Sequence, residues 1–171
     1  MKINYQNSTL HLEDMPLDVG YASEKVTLKN PSGETFALGG QNGFTQLILS
    51  VPFIDEPLIA QLQELNTLLS LNALTGVSKT LIVANDSHTD PQIEGWQFGI
   101  DTDEAFGDYY GVRLAKGELG GEFAKALFIV SKDGALFYND IPNDLNTLFS
   151  LEKALSKIAA ANNCYTGKGC H

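Results

Sequence analysis

Two short apolar runs constrain the fold of this 171-residue chain more than any other feature. The first is Gln46-Leu47-Ile48-Leu49-Ser50-Val51 and the second is Thr80-Leu81-Ile82-Val83-Ala84. A strand with one wet face alternates apolar and polar residues, so a nearly unbroken run of strand length needs cover on both faces. Between the runs, Asp55-Glu56-Pro57 has the acidic residues and proline of a helix start. Leu58, Ile59, Leu62, Leu65 and Leu69 follow at helical spacing. Strand, helix and strand over about 30 residues make a βαβ unit, which predicts a parallel pair and a right-handed crossover.

Around this unit the signals are shorter. Leu10, Leu12, Met15 and Leu17, then Val26, Leu28, Phe36 and Leu38, are spaced like half-buried strands, broken by Pro31-Ser32-Gly33 and Gly39-Gly40. Residues 85–107 are polar and irregular, with a short helix expected around 103–110. Ala126-Leu127-Phe128-Ile129-Val130 and Ala135-Leu136-Phe137-Tyr138 flank Lys132-Asp133-Gly134, and Asp-Gly between apolar runs signals a hairpin. Leu148, Leu151, Leu155 and Ile158 form the stripe of a closing helix that ends near Ala161. No repeat or linker interrupts the pattern. The expected organisation is one domain over residues 1–161 and a cysteine-containing tail over 162–171.

The net charge is −10, and Arg113 is the single arginine. Such a surface repels phosphate backbones and anionic lipid, which argues against nucleic-acid and membrane partners. Met1 to Asn7 carry no basic cluster followed by an apolar run, and no stretch approaches the ~18–20 apolar residues of a membrane span. Cytoplasmic location is the expectation. Both cysteines, Cys164 and Cys170, fall in the last eight residues, which excludes a disulfide framework for the domain body.

Three segments together resemble the thiol peroxidase (peroxiredoxin) family. Leu10-His11-Leu12-Glu13 through Leu17-Asp18-Val19-Gly20 is similar to its opening hairpin. Residues 46–55, ending Pro52-Phe53-Ile54-Asp55, resemble the strand that enters its active-site loop. Tyr110-Gly111-Val112, Gly117-Glu118-Leu119-Gly120-Gly121 and Ala124-Lys125-Ala126 complete the match ahead of the hairpin. The resemblance implies an α/β fold: a thioredoxin-like, peroxiredoxin-type three-layer α/β/α sandwich with an N-terminal β-hairpin extension. It implies no cofactor.

The departures from that family bear on chemistry. Peroxiredoxins carry P-x-x-x-T-x-x-C at the start of the first long helix, where a cysteine thiolate attacks the peroxide. The helix start and a distant arginine lower the thiol pKa, while a threonine hydroxyl and the guanidinium hold the peroxide oxygens. Here the motif's proline is Pro52, the threonine position is Glu56, the cysteine position is Ile59, and the arginine position matches Lys125. Ile59 has no nucleophile. A carboxylate at Glu56 raises a neighbouring thiol pKa, and Lys125 lacks the bidentate fork. The segment expected to hold the resolving cysteine, residues 85–98, has none. Glu56 and Lys125 are expected to form an ion pair across the former peroxide pocket.

Three readings of the tail stand open. Its thiols are incidental at a frayed terminus; or Cys164 and Cys170 close a small redox-active disulfide loop; or Cys164, Cys170 and His171 offer soft ligands to zinc or copper. His88 lies between Asp86 and Asp90 with no second histidine near, and is read as part of a polar loop. Trp96, Phe98, Phe106, Tyr109 and Tyr110 are read as core or dimer packing. The functional expectation is a peroxiredoxin-like homodimer without peroxidase activity at the usual site, acting through protein contacts. The alternatives are an oxidoreductase or a metal carrier working from the tail.

Overall fold

The run at 46–51 becomes a strand at the heart of a sheet, wet on neither face. In a computed structural model, which describes residues 1–163, the order is β1 (Lys2–Tyr5), β2 (Ser8–His11), β3 (Val26–Lys29), β4 (Thr35–Leu38), β5 (Thr45–Ser50), α1 (Glu56–Leu71), β6 (Val77–Val83), β7 (Gln97–Ile100), α2 (Ala105–Tyr110), β8 (Ala126–Val130), β9 (Leu136–Asp140) and α3 (Leu151–Asn162). β1 and β2 form a separate antiparallel hairpin. The others make one seven-stranded sheet, β4-β3-β7-β6-β5-β8-β9. β5 pairs parallel with β6 and antiparallel with β8, and every residue of β5 is buried.

Alternation along the central strands sorts side chains into two cores. Leu47, Leu49, Leu81, Val83, Leu127 and Ile129 face α1 and α3, meeting Leu58, Leu62, Leu65 and Ile158. Ile48, Ile82, Phe128 and Val130 face the other way, against Phe106 and Tyr110 of α2. Helices on both faces of one sheet make the three-layer α/β/α sandwich.

Several expectations need correction. Residues 85–107 are not wholly irregular: β7 runs within them, parallel to β6. Met15 is 83% exposed and Leu148 is 54% exposed, so neither belongs to a buried stripe. Leu148 precedes the closing helix, which begins after Ser150, whose side chain accepts from Lys153 N. Of the aromatic group, Phe98, Phe106 and Tyr110 are core, Trp96 is half-buried, and Tyr109 is 54% exposed.

Tyr110 is fully buried, with its ring stacked on Phe106 at 4.4 Å and its hydroxyl donating to Glu24 O at 3.0 Å. Gly39, at φ +80°, makes this approach feasible: a Cβ there would sit 2.3 Å from the Tyr110 hydroxyl. Burial pushes the phenol up to about 12 from 10.0. The folded-state pKa lies above the unfolded one, so this stability is complete below pH 10.0 and is lost as pH rises through about 12. Urea titrations across that window should show the wild type losing about 2–3 kcal/mol more than Tyr110→Phe. Equal losses would contradict the assignment.

Candidate functional site

The pocket of the resemblance lies where β5 ends and α1 begins, at the carboxyl end of a parallel pair, a usual place for sites in α/β sheets. Pro52 is buried at this turn. Asp55 caps α1: its backbone is extended, and its side-chain Oδ1 accepts from Leu58 N at 3.0 Å. Pro57 sits in the first turn, where a missing N–H costs nothing. Ile59 donates its N–H to Asp55 O at 3.1 Å and packs its side chain against the large core. The position expected to carry a nucleophile carries hydrocarbon in van der Waals contact.

Lys125, just before β8, is 7% exposed. Its Nζ donates to Thr147 O at 2.5 Å and lies 4.9 Å from the centre of the Phe149 ring. Burial lowers its pKa, while the carboxylates of Asp55 and Asp140 pull it back up. The expected Glu56–Lys125 ion pair is absent among the described residues. Glu56 is exposed on the first turn of α1, and the ammonium is taken by a backbone carbonyl instead. The carboxylate at the pocket is Asp55, one residue earlier.

Gln61 completes the closure. Its side chain donates to Phe149 O at 2.9 Å and accepts from Phe149 N at 3.1 Å, tying the 145–149 segment to α1. What remains among Val51, Pro52, Asp55, Leu58, Lys125 and Leu145 is a cavity of about 10 Å³. That is the lower bound for one water, and a peroxide has two oxygens to place. Thr147, Phe149 and Gln61 had no signal in the sequence: Gln61 reads as an ordinary polar helix residue.

The other candidates resolve differently. His88 Nε2 lies 2.8 Å from Glu122 Oε2, and Asn85 Nδ2 donates to Glu122 Oε1 at 2.9 Å. Both carboxylate oxygens are engaged, so the cluster tethers the 85–88 loop to the segment before β8. Arg113 is spent on Asp108 at 2.6 Å and on Glu104 O at 2.9 Å, away from the pocket. Among the described residues, no three His, Cys, Asp or Glu side chains gather to hold a metal. Cys164, Cys170 and His171 lie outside the described residues.

A seven-stranded mixed sheet, an N-terminal hairpin and a strand–turn–helix pocket define a thioredoxin-like fold of the peroxiredoxin type. A peroxiredoxin-like protein from Aquifex aeolicus superposes with TM-score 0.78 at 19% identity, covering 94% of this chain and 96% of that one. A thiol peroxidase structure from Chromobacterium violaceum gives TM-score 0.74 at 15% identity, covering 92% and 94%. The thiol peroxidase of Campylobacter jejuni is 30% identical over 175 residues, covering 99% of this chain and 98% of the relative. A thiol peroxidase of Helicobacter pylori is 27% identical over 152 residues, covering 84% and 90%. The chain belongs to the thiol peroxidase family. No protein-family model matches it.

Proposed function

We propose that this member of the family has no peroxidase activity at the family site, and acts through protein contacts as a homodimer in the cytoplasm. One observation carries the reading: the space between the turn after β5, the start of α1, Lys125 and Leu145 is only about 10 Å³, and the Lys125 ammonium is drawn to Thr147 O and the Phe149 ring. A site that merely lost its thiol would keep the room and the donors. This one has little room, and its one lining cation, Lys125, is already drawn to a backbone carbonyl.

The dimer is supported by an exposed apolar surface. Tyr109 is exposed on α2, and the Met15 backbone lies against Gly111 at the end of that helix, where an added Cβ would meet Met15 O at 2.1 Å. Val19 and Tyr21 extend the exposed apolar residues along the same segment, at 53% and 65% exposure. Exposed apolar side chains gathered on one surface commonly mark contacts with another protein.

The tail readings, a Cys164/Cys170 disulfide or a metal set with His171, remain secondary. Residues 1–161 form the proposed domain and 162–171 the proposed tail. Asn162 accepts from Thr45 Oγ1 at 2.7 Å, donates to Thr75 O at 2.9 Å, and accepts from Lys132 Nζ at 3.0 Å. The described chain therefore ends beside the start of β5, while Pro52 follows its end, about 20 Å away at 3.3 Å per residue.

The test is peroxide consumption with dithiothreitol as donor. Wild type, Cys164→Ser and Cys170→Ser should all match the protein-free rate, and sedimentation velocity on the same sample should give a dimer. Consumption abolished by Cys164→Ser would establish the tail oxidoreductase instead. Ile59→Cys should react slowly with peroxide, because the pocket stays closed and Asp55 opposes the thiolate.

A further inference from the structure

A second cavity, at the opposite end of α1 and remote from the peroxide pocket, has the composition of a ligand site. It measures about 360 Å³, within the range of small-molecule pockets, and its walls include Asn66, Leu69, Leu74, Val77 and Lys79. We infer that it binds a small aliphatic monocarboxylate, with the carboxylate on Lys79 and the alkyl chain on Leu69, Leu74 and Val77.

The head of the cavity is built. Lys79 Nζ donates to Asn66 Oδ1 at 2.6 Å. The same oxygen accepts from Trp96 Nε1 at 3.1 Å, and Asn66 Nδ2 donates to Glu94 O at 2.8 Å. Those bonds orient the amide, and the amide fixes the ammonium. Gly95, at φ +78°, lies against the lysine head: a Cβ there would be 3.0 Å from Nζ. The lysine is therefore held in place rather than extended into solvent.

Among the described residues no carboxylate is in ion-pair contact with it: the ion pairs within 4.0 Å involve His88 and Arg113, and none involves Lys79. Its hydrogen-bond partner is a neutral amide, though an ammonium carries three protons. Burial lowers the pKa of this amine, with the Glu94 carboxylate acting against that, so the cation stands partly desolvated without a contacting counter-ion. In a chain of net charge −10, a fixed cation facing a cavity calls for an anion.

The surroundings narrow the anion. Leu69 and Ser70 belong to the last turn of α1, the negative end of its dipole, which disfavours a second negative charge. The site has one lysine and no arginine fork to hold a phosphate. The apolar wall of Leu69, Leu74 and Val77 favours an alkyl body over a bare inorganic ion.

Sodium hexanoate titrated into the full-length protein tests this. Trp96 is the only tryptophan and shares Asn66 with Lys79, so its fluorescence reports on the site. A saturable change is expected below about 10 mM, weak by ordinary ligand standards. Lys79→Met keeps the apolar stem and removes the charge, and should weaken binding at least about ten-fold. Should Lys79→Met fail to fold, amide shift changes in the wild type, confined to residues 66–79 and 94–97, give the same answer. Hexan-1-ol binding as well as hexanoate, inorganic phosphate competing equally, shifts elsewhere, or no saturation would each overturn the assignment. None of these outcomes depends on the peroxide assay.

Discussion

Lys125→Glu should cost about 3–5 kcal/mol of unfolding free energy at pH 7, the largest effect expected of any charge change in the molecule. The substitution removes the donor to Thr147 O and the cation over Phe149. It also puts a carboxylate on a 7% exposed side chain whose electrostatic neighbours are Asp55 and Asp140. An uncompensated buried charge of the same sign as its neighbours is among the few ways one substitution unfolds a domain. Lys125→Met keeps the stem and should cost less, about 1.5–3 kcal/mol, the worth of one hydrogen bond to a charged group. Glu56→Gln, on the exposed first turn of α1, should stay within about 0.5 kcal/mol. Urea denaturation of the three variants decides the matter. If Lys125→Glu were no worse than Glu56→Gln, the lysine would not be the strut that closes the pocket.

Phe106→Ala should destabilise the fold by about 3–5 kcal/mol, the usual cost of emptying a buried aromatic site. α2 has six residues, too few to persist without tertiary packing. Phe106 supplies much of that packing: it stacks on Tyr110 and meets Phe123 at 5.6 Å and Phe128 at 6.4 Å between ring centres. Asp101 supports the same turn, accepting from Phe106 N at 3.0 Å and Gly107 N at 2.9 Å. Burial pushes the Asp101 carboxyl up, and those two N–H groups draw it back down. With the ring removed, α2 loses its anchor while Asp101 stays buried. The check is a shifted denaturation midpoint together with loss of near-ultraviolet aromatic dichroism. A loss below about 1 kcal/mol would show that the site collapses around the smaller side chain.

Both predictions rest on a fold that was largely legible before any coordinates. The runs at 46–51 and 80–84 could satisfy their backbones and bury their side chains only inside a sheet covered on both faces. Asp55-Glu56-Pro57 is followed by leucines at helical spacing, which leaves one way to begin α1. The Asp133-Gly134 turn closes β8 onto β9 for equally local reasons. Pro52 and Ile59 were legible too, because their places follow from their distance to the helix start, and that distance is covalent.

What sequence could not supply was every partner chosen by packing. β7 has two apolar residues alternating with Gln97 and Gly99, and it becomes a strand because β6 offers an open edge. Glu122 meets His88 across 34 residues, and Thr147 meets Lys125 across 22. Charge complementarity pointed to Glu56 for that lysine, but burial decided otherwise: a nearly dry ammonium is held by the acceptor that packing delivers, here a backbone carbonyl. The chain by itself determined that residues 1–163 hold no cysteine. Only the tertiary structure decided how little space is left between the start of α1 and Lys125, about 10 Å³, because filling a cavity depends on how distant segments meet.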